Sequence, residues 1–493
     1  MTRILVIFDG LTSLKLLRYV LVAMGIIHIY LLINRYIQSD ENWFGEQAYW
    51  LLHEGKVKLK SLPYILDWEN EFLVYHKLFV WIGYLIIIVV GWNVYYFKTF
   101  VLITFLSGLF IISKYLRYHN QEVLLFTFMI TLMVPMLFLR SFEFRPEVPI
   151  MTLGFGSFYA LSCYKNRGNY IYIILAAILA ALCFLLHLNG VIYCLSAVVV
   201  LIYYKKWRAC LLFSIVAVPI TAIYFAPLVM YDQLNQWVFN LKHWPSHDFE
   251  EGTNAGVLTF LLSLLNRLAS EHQRFFWGDQ VIGISALFII ILLIKLKFLW
   301  NNYKFLTLYT FLNILFLGLL GSHKAAQYLV FHVPYMAILI SLAIFSLKKE
   351  NKPWLKMLVL AAIFTHCLMY IKTAHETFKR NQPHGKIHNE LATHLEKGSS
   401  VISHWEFIFN EIDNFEIYSY KSYEYLQETK EVPFTQEEVL IDLKKRQVDY
   451  VIIDSKMKVS SDLPWFKNWE INENPYYYKF KELHGYLILK RKD

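Results

Sequence analysis

Between residues 18 and 371 the chain is a succession of long apolar runs separated by short polar turns. A helix needs roughly 20 apolar residues to cross hydrocarbon, and there only helices and closed barrels satisfy their own backbone groups. The expected fold class is an all-α polytopic membrane protein. The chain is 57% hydrophobic and 17% charged, against about a quarter charged in a soluble protein. Its 34 Tyr and 14 Trp suit many membrane–water boundaries.

Apolar length and loop charge place about eleven crossings, near 18–37, 94–113, 122–140, 147–164, 170–186, 190–204, 209–228, 280–297, 303–321, 328–347 and 355–371. Arg3, Lys15 and Arg18 precede the first, so the N-terminus is expected in the cytoplasm of a multi-pass inner-membrane protein. The basic turns Lys114/Arg117, Lys165/Arg167, Lys205/Lys206/Arg208, Lys295/Lys297/Lys304 and Lys348/Lys349/Lys352 belong on that side. Leu78 to Trp92 is apolar but short. Counted as a crossing it would invert every later loop, so it is read as an interfacial or half-inserted helix. An odd number of crossings puts the tail outside.

The net charge of +9 is spread over these turns, which is a topology signal and not a nucleic-acid footprint. Some of these cations are expected to touch lipid phosphates. The five cysteines lie in or beside apolar runs, with no CxxC, so neither a disulfide framework nor a zinc site is expected. No small-residue cleavage motif follows the first apolar run, so a cleaved signal peptide is not expected.

Unusual polar content collects on the expected outer side. It comprises the first loop (39–93), the turns Ser141–Glu147, His187–Gly190 and Gly321–Gln327, and the loop Tyr231–Asp279. Asn42 to Glu54 reads as an amphipathic helix ended by Gly55, with Trp43, Ala48, Trp50 and Leu51 as its apolar contacts, and Val257 to Leu268 as another. Both are expected along the membrane surface. The boundary is placed between 1–374, a membrane domain, and 375–493, a small α/β domain. In the latter, Ser400–Ser403 and Tyr450–Asp454 read as strands, Thr435–Arg446 as a helix, and Tyr476–Phe480 with Tyr486–Lys490 as a hairpin around Gly485. No glycine-rich phosphate loop supports nucleotide binding there.

Asp40-Glu41 directly after the first span, followed by EQAYWLLHEG, resembles the first outer loop of GT-C glycosyltransferases, in particular the protein mannosyltransferase and lipid A aminoarabinose transferase group. YHKLFVWIGYLIIIVVGWN, SFEFRPEVPIMTLGFG, LLHLNGVIYCLSAVVVLIYYKKWR and HKAAQYLVFHVPYMAIL resemble later segments of that group, in order, over roughly residues 15–350. Tyr75-His76 stands where the group has Pro-Pro, and Leu186-His187 where it has Thr-Lys.

The resemblance implies a GT-C-like membrane domain and a glycosyltransferase of the hexosyl or pentosyl class. It implies a polyprenyl-phosphate sugar donor and a glycan, lipid or protein acceptor of the cell envelope. The acceptor hydroxyl would displace phosphate at the anomeric carbon, with inversion. A base must take the hydroxyl proton, and the phosphate leaving group needs cations or a divalent metal. The resemblance makes Asp40 the base; the alternative is a cap for the 42–54 helix. Glu41 would orient the acceptor or bind metal, or else be a solvated helix-start carboxylate. Arg145 and Glu147 flank Pro146, where Glu147 would be a second acidic site residue and Arg145 a substrate-binding residue or a boundary anchor.

His187 and Asn189 sit in a tight turn that would hold donor phosphate or sugar, or be only a turn. His76 would meet metal or phosphate, or be structural. Lys324 and Tyr328 would contact phosphate, or anchor a span at the interface. Weaker candidates are Glu143, His323 and Gln327, with His243, His247 and Asp248 as a cover. Two rival readings remain: a transporter or lipid flippase, which calls for mid-membrane ionisable groups and internal symmetry, and a scaffold acting through its tail.

Overall fold

The computed structural model describes residues 8, 10–33, 37–244, 257–321, 324–379, 384–428, 434–454 and 475–492. Each of the eleven expected segments overlaps a helix. Five helices are long and apolar enough to cross a bilayer by length and composition: Leu14–Leu31, Val94–Tyr115, Asp279–Leu320, Ala326–Lys348 and Pro353–Lys379. Shorter apolar helices, such as Ile171–Leu186 and Trp207–Ala222, fill in between them. The segment Ala326–Lys348 is 89% buried and forms the centre of the bundle, whereas Leu14–Leu31 is 22% buried and peripheral.

The expected segment 122–140 is two helices, Gln121–Leu132 and Pro135–Arg140. Pro135 has no N–H to give and disfavours helical backbone in the residue before it. The expected segment 209–228 likewise divides into Trp207–Ala222 and Ala226–Met230. The segments 280–297 and 303–321 are one 42-residue helix broken by non-helical backbone at Tyr303.

Lys77–Val90 is a helix of 14 residues. One face, with Phe79, Val80 and Gly83, is buried, packing against Ser39–Glu54 and Ile171–Leu186. The other exposes Trp81, Leu85, Ile88 and Val89.

The helix expected at 42–54 spans Ser39–Glu54 and ends at Gly55 in the left-handed region (φ 69°). Its polar face is interior as well as its apolar one: Glu41, Asn42, Glu46, Gln47 and Ala48 are all buried. The helix is clamped between Lys77–Val90 and the C-terminal domain. Phe409 seats its ring on Gly45, where a Cβ would collide with it. Trp92 stacks on Phe409 (centroids 4.8 Å apart) and donates its indole N–H to the Phe409 carbonyl at 3.0 Å. The Tyr49 hydroxyl donates to Asp413 (2.7 Å), and the Trp405 indole N–H to the Ser61 hydroxyl (3.0 Å).

The C-terminal domain is a five-stranded sheet of order β2-β1-β3-β5-β4, with β1 Ser400–Ser403, β2 Glu416–Ser419, β3 Tyr450–Ile453, β4 Tyr477–Leu483 and β5 Tyr486–Arg491. β1 pairs in parallel with β2 and β3, and β5 runs antiparallel to β3 and β4. The expected strands, hairpin and helix are present, the helix as Gln436–Lys445 capped by Thr435. The hairpin turns on His484 and Gly485, both at positive φ, the backbone of a type I′ turn. β2 was not expected. It pairs only with β1, and its Ser419 N–H donates to the Ser61 carbonyl at 2.8 Å.

Candidate functional site

Gln38 caps the helix that carries Asp40. Its side-chain oxygen accepts the Asp40 N–H, while the Glu41 carboxylate accepts the Gln38 N–H, both at 2.8 Å. This reciprocal capping box takes the cap role from Asp40 and leaves its carboxylate to turn elsewhere. That carboxylate forms an ion pair with Arg145. The Asp40 side chain is 43% exposed and that of Arg145 is 5% exposed.

Arg145 also grips Glu147. Its Nε lies 3.1 Å and its Nη2 2.7 Å from the two carboxylate oxygens, a forked contact. Glu147 starts the helix Glu147–Arg167, where the helix dipole favours an anion. One guanidinium between two carboxylates leaves the trio with a net charge of −1.

Beside this trio stand two histidines, with His76 and His187 ring centroids 4.2 Å apart. The Asn189 N–H donates to His187 Nδ1 at 3.0 Å. In neutral His187 the proton is therefore on Nε2, which faces the Tyr328 hydroxyl at 3.2 Å. Burial, then the Arg145 charge, pushes His187 down to about 3. Burial and His187 lower His76, with Glu147 opposing. Both imidazoles are neutral near pH 7. The Arg274 guanidinium lies 5.3 Å from the Tyr328 ring centroid, held by Glu271 (2.6 Å) and the Ala325 carbonyl (3.0 Å).

Six of the expected residues thus fall into two neighbouring groups, Asp40–Arg145–Glu147 and His76–His187–Tyr328, close enough that the Glu147 charge acts on His76 and the Arg145 charge on His187. Asn189 joins through its backbone N–H. Glu41 does not fit the catalytic role expected for it. It is fully buried, pairs with Lys98 at 3.0 Å and accepts the Phe144 N–H at 2.8 Å, so its carboxylate is committed to holding the fold. Lys324 pairs with Glu271 (2.9 Å), the carboxylate that also holds Arg274, and donates to the Gly318 carbonyl (2.8 Å).

Among the weaker candidates, Glu143 pairs with Arg140 and His243 hydrogen-bonds the Phe239 carbonyl at 2.9 Å. Gln327 lies 3.5 Å from Arg140. His247, Asp248 and His323 fall outside the described residues.

Sequence reasoning missed Lys98, Glu271 and Arg274. A lysine one turn into an apolar span is itself a signal. Glu271 and Arg274, three apart, are an ordinary helical ion pair that nothing in the sequence ties to Tyr328. Among the described residues no three His, Cys, Asp or Glu side chains converge as a metal-binding group. The Arg145 charge acts on His187 and Tyr328, and Arg274 lies against the Tyr328 ring.

No protein-family model and no curated protein matches the chain. Solved structures do. ArnT from Cupriavidus metallidurans in the apo state is 11% identical with a TM-score of 0.62, over 96% of this chain and 97% of that one. The same protein bound to undecaprenyl phosphate gives 12% and 0.61, over 97% and 98%. The Archaeoglobus fulgidus oligosaccharyltransferase in the apo form is 13% identical with a TM-score of 0.52, over 90% of this chain and 70% of that one. The chain therefore shares its fold with ArnT and with the archaeal oligosaccharyltransferase.

Proposed function

We propose that this protein is an integral membrane glycosyltransferase that moves a sugar from a polyprenyl-phosphate donor to an acceptor hydroxyl at the extracytoplasmic face. The observation that carries the reading is the half-exposed Asp40 carboxylate fixed by the buried Arg145–Glu147 pair. Two solved structures of the same fold support the donor class: one holds undecaprenyl phosphate, and the archaeal oligosaccharyltransferase was solved with a dolichol-phosphate and an inhibitory peptide.

Asp40 accepts the acceptor's hydroxyl proton as its oxygen attacks the anomeric carbon. The bond from that carbon to the phosphate oxygen breaks, and its electron pair leaves with the phosphate. Arg274 and the Tyr328 hydroxyl face the charge that builds there, while Arg145 holds the base in place. The products are an inverted glycoside and polyprenyl phosphate. The test supplies purified protein with a cell-envelope extract as the source of acceptor hydroxyls and with defined hexosyl and pentosyl polyprenyl phosphates, one at a time, and follows labelled sugar. Release of polyprenyl phosphate from one donor supports the reading; inertness toward all of them contradicts it.

A further inference from the structure

The end of the bundle away from Asp40 carries a second concentration of charge. Lys114, Arg117, Lys165, Arg167 and Lys304 line a cavity of about 390 Å³ in which no Asp or Glu takes part. They arrive from three separate places: the end of Val94–Tyr115, the end of Glu147–Arg167, and the break at Tyr303. Among the described residues none of the five is ion-paired. Rings steady them instead: Lys165 lies 5.1 Å from the Phe305 centroid, Lys304 lies 4.9 Å from that of Tyr203, and Arg167 donates to the Tyr172 hydroxyl at 2.5 Å. Their charge is therefore not neutralised within the protein. Topology alone asks only for cations in loops, as at Lys205 and Lys206; it does not ask that they converge on a hollow of ligand size.

We propose that this cavity binds the phosphate of an anionic lipid headgroup. Arg and Lys are the usual partners of phosphate. A membrane source fits because Phe305 and Leu306, at the start of the apolar run that follows Lys304, form part of the wall. The helix Glu147–Arg167 starts at the candidate site and ends at this cavity. Its 21 residues span about 30 Å, one hydrocarbon thickness. The cavity thus faces the opposite leaflet, and a phosphate in it is not the one beside Asp40.

The test titrates the purified protein in neutral detergent with short-chain phosphatidylglycerol, phosphatidylcholine and inorganic phosphate, reading bound lipid by native mass spectrometry and Kd by calorimetry. The expected result is phosphatidylglycerol binding without phosphatidylcholine binding. That binding weakens at least about tenfold in Arg117→Gln/Arg167→Gln/Lys304→Gln, since each cation at an anionic surface is worth several-fold. It is unchanged in Lys205→Gln/Lys206→Gln. Should the triple variant lose its helical signal, Arg167→Gln alone is read in the same way. Equal binding of the two lipids, an unaltered Kd in the cavity variant, or an equal loss in the loop variant overturns the proposal. Inorganic phosphate filling the site at lower concentration than phosphatidylglycerol overturns the lipid source.

Discussion

Asp40 and Arg145 belong to different turns of the chain and meet in an ion pair of unequal exposure, the guanidinium 5% exposed and the carboxylate 43%. The cation is sealed among helices and braced by Glu147, while the anion remains open to whatever enters. An asymmetric pair of this kind holds a carboxylate in place without closing it off from a proton donor.

Removing the brace damages both fold and site. Arg145→Ala leaves Glu147 buried without its partner, so stability falls by about 3–5 kcal/mol. Arg145→Lys keeps the charge but cannot fork onto Glu147 while holding Asp40. Its stability loss is smaller, yet sugar transfer still falls. Denaturant midpoints in detergent, measured beside transfer rates, check both variants.

Glu41 and Asp40, adjacent in sequence, separate by function. Glu41→Gln weakens a fully buried pair with Lys98 and lowers stability by up to about 3–5 kcal/mol. Transfer per folded molecule stays near the unmodified level. A Glu41→Gln protein that is as stable as the parent but inactive contradicts the structural role assigned to it.

The two neutral histidines give a pH signature. The folded His187 is pushed down to about 3 from an ordinary 6.5, so acid favours the unfolded chain. Its contribution to stability is complete above about 6.5 and is lost as pH falls toward 3, at up to about 1.4 kcal/mol per pH unit. His76 acts in the same direction. Melting midpoints between pH 7.5 and 5 should fall more steeply for the parent than for His76→Gln/His187→Gln.

The C-terminal domain covers the helix that carries Asp40. Phe409→Ala empties the contact with Gly45 and Trp92, at a cost of about 3–5 kcal/mol. The expected readouts are faster proteolytic release of the tail and reduced transfer. A tail as protease-resistant as the parent's argues against docking through this ring.

The apolar helices were legible because length and hydropathy settle their form, the short Lys77–Val90 helix among them. The burial of Ser39–Glu54 was not legible. Glu41, Asn42, Glu46 and Gln47 read as a wet face, and only the docked C-terminal domain and Lys98 make that face interior. β2 was too short and polar to announce itself, being held by β1 and Ser61. At the site, the motif positions led to Asp40, Arg145, Glu147 and His187. They did not reveal that Lys324 shares Glu271 with Arg274, because those side chains meet through a loop whose fold no local pattern specifies.

Asp40→Asn is the most direct test of the account. The amide keeps the shape and loses the basicity, and because Asp40 is half-exposed the protein should fold as before. With a donor established by the screen, the account predicts a fall in kcat of about 100- to 10,000-fold, with donor binding retained. Asp40→Asn protein that transfers sugar at the parent rate would contradict it.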